Sequence, residues 1–256
     1  MAYSFLQPLV AKRIHYPPLL ENIAPSITFR DGEVDALLTK DLIQLLGESC
    51  VPGSIDIGFG CNDVEYIDTM VITLPAYSGC TFTIVYKKYE CSAGGLFDYT
   101  MGDFQVLSHN CSAFSTALNG SYVTGAASFN AFVENFELAI YNQIQSNIIA
   151  SYVPVGTYAC LQGLFFNIIF IKASCYKRCI IEFSNGYASY MKIACGSDCC
   201  ERHTRVCRNS LGALYIETLN APAYPPSCDN PPSFPGNMLL SRCIRETACS
   251  YSCPDE

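Results

Sequence analysis

The sequence predicts an α+β protein with a mainly antiparallel β-sheet, one long amphipathic helix and a disulfide-strapped, proline-rich C-terminal tail. Two observations lead to this fold class. Short segments rich in β-branched and aromatic residues, separated by turn residues, lie on both sides of one long segment with helical periodicity. The chain also contains sixteen cysteines, all between Cys50 and Cys253, and seven of its fourteen prolines follow Asn220.

Composition divides the chain into three segments. We expect an extended N-terminal arm over residues 1–33, a disulfide-rich α+β domain over residues 34–219 and a Cys/Pro-rich tail over residues 220–256. The arm contains four prolines and no cysteine, so neither a continuous helix nor a disulfide holds it to the domain. Its many apolar side chains are unfavourable in water, and we predict that the arm binds another copy of the chain. The alternative is a leader that lies on its own domain or is disordered.

The first half of the domain is predicted to contain a helix followed by strands. Leucines at helical spacing indicate a helix over Val34–Glu48. Alternating and β-branched patterns indicate strands over Ser54–Phe59, Thr69–Leu74 and Thr81–Tyr86.

The longest element is a helix predicted over Ser128–Ser151, after a loop that contains Gly120 and Gly125. Ser128 suits the N-cap position, and Pro154 follows the end of the helix. One apolar stripe runs along it, formed by Phe129, Phe132, Val133, Phe136, Ile140, Ile144 and Ile148.

The second half of the domain is predicted to be β-rich. A nearly continuous apolar run over Leu164–Ser174 indicates a strand covered on both faces. Two hairpins follow. The first joins Tyr176–Phe183 to Tyr187–Ala194, and the second joins Thr204–Arg208 to Leu214–Leu219.

Asn185-Gly186 is a strong signal for a two-residue hairpin turn, because a type I′ turn needs positive φ at both positions. Such a turn would place Tyr176 opposite Cys195 and Cys179 opposite Lys192. No two cysteines face each other in that register. The cysteines of this hairpin are therefore expected to bond outside it, to the 199–207 strand, the tail or the N-terminal half.

The even number and irregular spacing of the cysteines favour disulfides over metal binding. A weaker alternative is a zinc site at Cys195, Cys199, Cys200, His203 and Cys207, although the adjacent Cys199 and Cys200 lack the usual two-residue spacer. We expect no cofactor. The candidates for structural disulfides are Cys50, Cys61, Cys80, Cys91, Cys111, Cys160, Cys175, Cys179, Cys195, Cys199, Cys200, Cys207, Cys228, Cys243, Cys249 and Cys253.

Charge and hydropathy exclude several kinds of partner. The formal net charge is −8, which argues against nucleic acid because phosphates require a basic surface. Membrane insertion is not expected either, since the longest apolar run, Leu161–Ala173, is short and interrupted by polar residues. Protein or glycan surfaces and other copies of the chain remain as partners.

The sequence contains no strong catalytic motif, and we expect the protein not to be an enzyme. His109 lies near Cys111 and His203 near Cys200, but an even cysteine count leaves no obvious free thiol as nucleophile. An acidic cluster could bind calcium, although its spacing matches no EF-hand; it comprises Asp56, Asp63, Glu65 and Asp68.

Abundant disulfides predict an extracellular or surface-exposed protein. The N-terminus does not reveal the export route, since Lys12 and Arg13 follow the first apolar stretch instead of preceding it as in a signal peptide. The leading hypothesis is a structural or adhesion protein, a homo-oligomeric subunit of a fibre, appendage or particle. The alternatives are a secreted monomeric binding module for glycan or protein, and a secreted hydrolase or toxin without a recognisable motif.

Two segments, Cys111–Asn119 and Cys195–Asn209, resemble stretches of uncharacterised cysteine-rich surface proteins of gliding or filament-bearing bacteria. The resemblance covers the C-terminal half of the chain. It implies an extracellular or particle-associated structural role, and it brings no known fold, activity or site.

Overall fold

A computed structural model describes the central part of the chain and short pieces near its C-terminal end. The predicted N-terminal arm, the helix over Val34–Glu48, the strand over Ser54–Phe59 and most of the predicted tail lie outside it. The division into three segments therefore stays a prediction. The described residues are 65–89, 99–183, 185–195, 199–221, 228 and 243–253.

The larger of two sheets has six strands in the order β1-β2-β3-β4-β7-β8, so β1 and β8 lie at its opposite edges. The strands are β1 (Glu65–Ile72), β2 (Phe82–Tyr89), β3 (Tyr99–His109), β4 (Phe166–Ala173), β7 (Cys199–Arg208) and β8 (Leu214–Ala221).

The second sheet has four strands and is built on a hairpin. The hairpin strands β5 (Cys175–Glu182) and β6 (Ala188–Ala194) are antiparallel. Two short strands from the C-terminal part of the chain, β9 (Arg245–Glu246) and β10 (Ser250–Tyr251), both pair with β5.

Two helices connect β3 to β4, where the sequence predicted only one. They are α1 (Ser112–Thr124) and α2 (Ala126–Tyr152), and α2 includes the predicted Ser128–Ser151 segment. The prediction of a single helix was wrong because Gly120 and Gly125 indicated a loop. Packing overrides the low helix propensity of Gly120, since Phe114 and Leu118 of α1 are fully buried. Gly125 separates the helices with φ of 135°, a backbone angle that residues with a side chain rarely adopt.

The sheet is mixed, which corrects the prediction of mainly antiparallel sheet. β3 and β4 are parallel, paired from Tyr99–Ile168 to Met101–Phe170, while the other neighbours are antiparallel. The chain crosses over through both helices between these strands, as a parallel pair requires. The sequence analysis missed β3 because it contains Gly102 and Asp103, which are depleted in strands.

The β5–β6 hairpin has a register that differs by one residue from the prediction. Tyr176 faces Ala194 and Cys179 faces Met191. The backbone N–H of Phe183 bonds to the carbonyl of Tyr187, so three residues form the loop instead of two. Asn185-Gly186 lies inside that loop, where the positive φ of Gly186 is used.

The hydrophobic core lies between α2 and both sheets. Phe136 of α2 packs on Phe82 of β2 and Phe114 of α1, with ring centroids 5.2 and 4.3 Å apart. Further along α2, Tyr141 contacts Phe170 of β4. β3 pairs with β4 only as far as Met101, and beyond that point it approaches β6 instead. The side chain of Gln105 donates to the carbonyl oxygen of Lys192 and accepts the backbone N–H of Lys192. The two sheets therefore diverge beneath α2.

Candidate functional site

Every described cysteine is in a disulfide. Four bonds attach the C-terminal part of the chain to β5, to the end of β6 and to β7. A fifth joins the β1–β2 loop to the start of α1, and a sixth joins the α2–β4 loop to β7. The structure is therefore that of a disulfide-rich protein, which indicates folding in an oxidising compartment. The pairs in which both cysteines are described are Cys80–Cys111, Cys160–Cys207, Cys175–Cys228, Cys179–Cys243, Cys195–Cys249 and Cys200–Cys253.

The residues of the alternative zinc site do not present thiolates. Cys195, Cys200 and Cys207 bond to three different partners, and Cys199 is disulfide-bonded as well. The Nε2 atom of His203 lies 2.9 Å from the Glu201 carboxylate. The sulfur atoms of Cys175, Cys228 and Cys249 lie within 4.8 Å of one another, and they belong to two neighbouring disulfides.

His109 lies in an aromatic cluster and has a structural role. Its Nε2 lies 3.0 Å from the carbonyl oxygen of Ala188, and its Nδ1 accepts the backbone N–H of Cys111. This arrangement defines a neutral ring with the proton on Nε2. Burial lowers the pKa of His109, partly offset by the bond to Ala188. Since Cys111 is bonded to Cys80, the pair is not a thiol–imidazole nucleophile.

Only part of the acidic cluster considered for calcium lies within the described chain. Asp56 and Asp63 lie outside it. The carboxylate of Asp68 accepts the Thr69 backbone N–H at 2.7 Å and the Tyr86 hydroxyl at 3.1 Å. This side chain is thus bonded to its own sheet.

A cluster of buried charges, which the sequence analysis did not identify, fills the space where the sheets diverge. Lys192 of β6 lies 2.6 Å from Asp103 of β3 and 3.4 Å from Glu137 of α2. Arg178 of β5 lies 4.0 Å from Glu137 and donates a hydrogen bond to Ser252 at 2.7 Å. All four charged side chains are at most 2% exposed, and their charges balance.

Tyrosine hydroxyls and cation–π contacts complete this buried charge cluster. The hydroxyl of Tyr176 donates to Asp103 at 2.6 Å, and burial raises its pKa well above the usual value. Lys192 lies 4.2 Å from the ring centre of Phe104. Neither carboxylate oxygen of Glu137 accepts a well-aligned hydrogen bond from the described residues. Electrostatic attraction to Lys192 and Arg178 stabilises this side chain instead.

The electrostatics of the cluster stabilise Glu137 as a carboxylate. Burial by itself would raise its pKa, but the nearby cations Lys192, Arg178 and Lys172 outweigh this effect, and the pKa is lowered. Lys172 of β4 shows the opposite balance. Burial lowers its pKa to about 8, although Glu137 counteracts the shift, and its ammonium donates to the carbonyl oxygen of Ser252.

A pocket of about 190 Å³ adjoins the buried charge cluster between α2, β4 and β7. Its walls combine Tyr141 and Phe170 with the disulfide Cys200–Cys253 and with charged side chains. The volume lies below the ~300–1,000 Å³ of typical small-molecule sites. The charged residues in its lining are Glu134, Glu137, Lys172, Glu201 and Arg202.

The sequence carried one signal for the buried charge cluster. Glu137 lies four residues after Val133 and four before Tyr141, on the apolar stripe of α2, where all three side chains are buried. A carboxylate at that position requires a buried cation. The sequence could not indicate which cations, because Arg178 and Lys192 come from a different sheet.

Apolar side chains are exposed at the β8 edge of the larger sheet. Leu211 in the β7–β8 turn is 90% exposed, and Tyr215 in β8 is 54% exposed. We call this region the β8 surface; it comprises Leu211, Leu214, Tyr215 and Ile216, together with Val155, which lies against Gly212 in the β7–β8 turn.

The loop that contributes to the β8 surface is held in place. Arg208 of β7 donates to the carbonyl oxygens of Val153 and Gly212. The disulfide Cys160–Cys207 adds a covalent link between this loop and β7. These bonds hold the loop that carries Val155 against the β7–β8 turn.

No protein-family model, curated protein or solved structure matches the chain. Neither α1 nor α2 is long and apolar enough to cross a membrane, and the same holds for the rest of the described chain.

Proposed function

We propose that this chain is an extracellular structural or adhesion protein that assembles with other copies of itself through residues 1–33, as a subunit of a fibre, appendage or particle. The observation that carries the proposal is the set of four disulfides between the C-terminal part and β5, β6 and β7. They close loops with sequence separations of 53–64 residues. Each such bond contributes about 2–4 kcal/mol.

The size of the core shows why durability is the relevant property. Domains that depend on disulfides to fold are usually small and lack a sufficient core. Here α2 and two sheets already enclose a large hydrophobic core. The additional cross-links protect the protein from local opening and proteolysis, as an exposed assembly outside the cell requires.

The β8 surface supports the assembly part of the proposal. Contiguous exposed apolar patches mark interaction sites in proteins that stay in solution. The arm offers a matching ligand, because its sequence is apolar and lacks cysteines. Both features are consistent with contacts between subunits.

A secreted binding module is the second candidate, and the pocket beside Tyr141 and Phe170 favours it. Its small volume supports it less than the β8 surface supports assembly, and Glu134, Glu137 and Glu201 of its lining already pair with Arg178, Lys192 or His203. A secreted hydrolase is the third candidate. It would need an acid or base that faces a substrate, whereas Glu137 faces the buried cations Lys192 and Arg178.

Sedimentation velocity of the oxidised full chain tests the proposal. We expect species much larger than 28.1 kDa that dissociate when residues 1–33 are deleted. The truncated protein should retain its circular dichroism spectrum and its disulfides. A full chain that stays monomeric at every concentration would rule out the structural subunit and favour the binding module.

A further inference from the structure

Among the described residues, β8 is an edge strand of the larger sheet. Within the described chain β8 pairs only with β7. Natural edge strands are usually protected by charges, prolines or bulges. Between Leu214 and Thr218 the strand has no proline and a single charge, Glu217, and its register with β7 is continuous.

We propose that this edge binds the N-terminal arm of a second copy as an added β-strand, through the segment Ser26–Arg30. The inference deepens the proposed self-assembly, and it rests on that proposed function. An added strand gains backbone hydrogen bonds along the edge, and its alternate side chains give specificity.

The sequence of Ser26–Arg30 fits this edge. Ile27 and Phe29 alternate with Thr28 and Arg30, a pattern with high β-propensity, and Pro25 precedes it.

The side chains of β8 alternate between its two faces in a similar pattern. Leu214 and Ile216 share one face, while Tyr215 and Glu217 share the other. In a parallel register, Ile27 and Phe29 of the added strand lie beside Leu214 and Ile216. The same register places Arg30 beside Glu217. Glu217 is partly exposed and lies 3.8 Å from Arg205, so its carboxylate is able to accept a second cation.

Pairing of the arm with a second copy would make a head-to-tail contact, because the arm precedes β1 and the acceptor strand is β8. Residues 1–64 lead into β1, which lies at the edge opposite β8. The two edges are five strand intervals apart, roughly 24 Å. Repetition of the head-to-tail contact builds a fibre or a ring.

The length of the arm also suits a stable interface. Specific interfaces engage about 20–30 residues on each side. Five residues in a strand do not reach this size by themselves. The arm of 33 residues does, and the rest of the β8 surface, with Leu211 and Val155, extends the area available to it.

The test uses one substitution on each edge of the sheet. Ile216→Lys places a charge on the proposed acceptor strand, and Val71→Lys places the same charge on β1, where Val71 is 63% exposed. Both sites are exposed, so both variants should fold with their disulfides intact, as checked by near-ultraviolet circular dichroism and non-reducing mass spectrometry. We measure assembly of each full chain by sedimentation velocity. A synthetic peptide of residues 20–34 is titrated into the protein that lacks residues 1–33.

We expect Val71→Lys to assemble like the parent, and Ile216→Lys to remain monomeric. The peptide should bind the truncated protein at least about tenfold more tightly than its Ile216→Lys form, because a lysine beside the added strand is costly to desolvate. If assembly requires the arm but Ile216→Lys assembles normally, the β8 acceptor is refuted and the proposed function stands. If the full chain is monomeric while the peptide binds through Ile216, the arm lies on its own chain, which overturns both.

Discussion

Replacing Lys192 with methionine tests whether the buried charge cluster holds the two sheets and α2 together. Methionine keeps most of the volume of the lysine stem, so packing changes little. The substitution removes the cation that lies 2.6 Å from Asp103 and 3.4 Å from Glu137. Arg178, which lies 4.0 Å from Glu137, and Lys172 then remain as cations near Glu137. Asp103 loses the ammonium group 2.6 Å away.

The expected cost follows from the burial of these groups. Breaking a fully buried ion pair by removing one partner costs about 3–5 kcal/mol, because a charge is left without compensation. The cation–π contact of Lys192 with Phe104 at 4.2 Å is lost as well. We therefore expect Lys192→Met to lower the free energy of unfolding by about 3–5 kcal/mol.

The assay is equilibrium unfolding in guanidinium chloride at pH 7 with the disulfides intact. Lys177→Met is the matched control, since Lys177 of β5 forms an ion pair with Glu246 but its side chain is 20% exposed. A partly exposed pair contributes about 0.2–1 kcal/mol. The double variant Lys192→Met/Asp103→Asn should recover part of the loss, because it removes one uncompensated carboxylate. A cost below about 1 kcal/mol for Lys192→Met would contradict the idea that the cluster is desolvated and paired.

Three further predictions concern pH, packing and cysteine state. The pKa of Lys172 is about 8 in the folded protein, against 10.5 for an unperturbed lysine. The unfolded chain therefore binds more protons between these values, and the free energy of unfolding should rise with pH from about 8 towards 10. Denaturant midpoints should show this rise in the parent and its loss in Lys172→Met. Phe136→Ala should cost about 3–5 kcal/mol in denaturant unfolding because the side chain is 4% exposed, whereas the exposed Val123→Ala should change little. Alkylation in denaturant without reductant should modify none of the thirteen described cysteines, and labelling of Cys195, Cys200 or Cys207 would contradict their disulfides.

The sequence analysis predicted local structure best where one pattern dominates over many residues. The apolar stripe through Phe136 and Ile144 lies in α2, and the run after Leu164 lies in β4. It failed where local propensity is ambiguous. Gly120 and Gly125 concealed α1, and Gly102 with Asp103 concealed β3. It also shortened the β5–β6 loop by one residue, because a turn dipeptide does not fix the length of its loop.

The sequence by itself determined the class of protein: α+β, rich in disulfides and suited to an oxidising environment. Composition and periodicity suffice for this, since both are properties of the chain alone. Only the tertiary structure decided the parallel β3–β4 pair, the partners of each cysteine and the buried charge cluster. These depend on which elements meet in space. Asp103, Glu137, Arg178 and Lys192 come from three strands and a helix, and the free energy of burying each charge depends on the others being there.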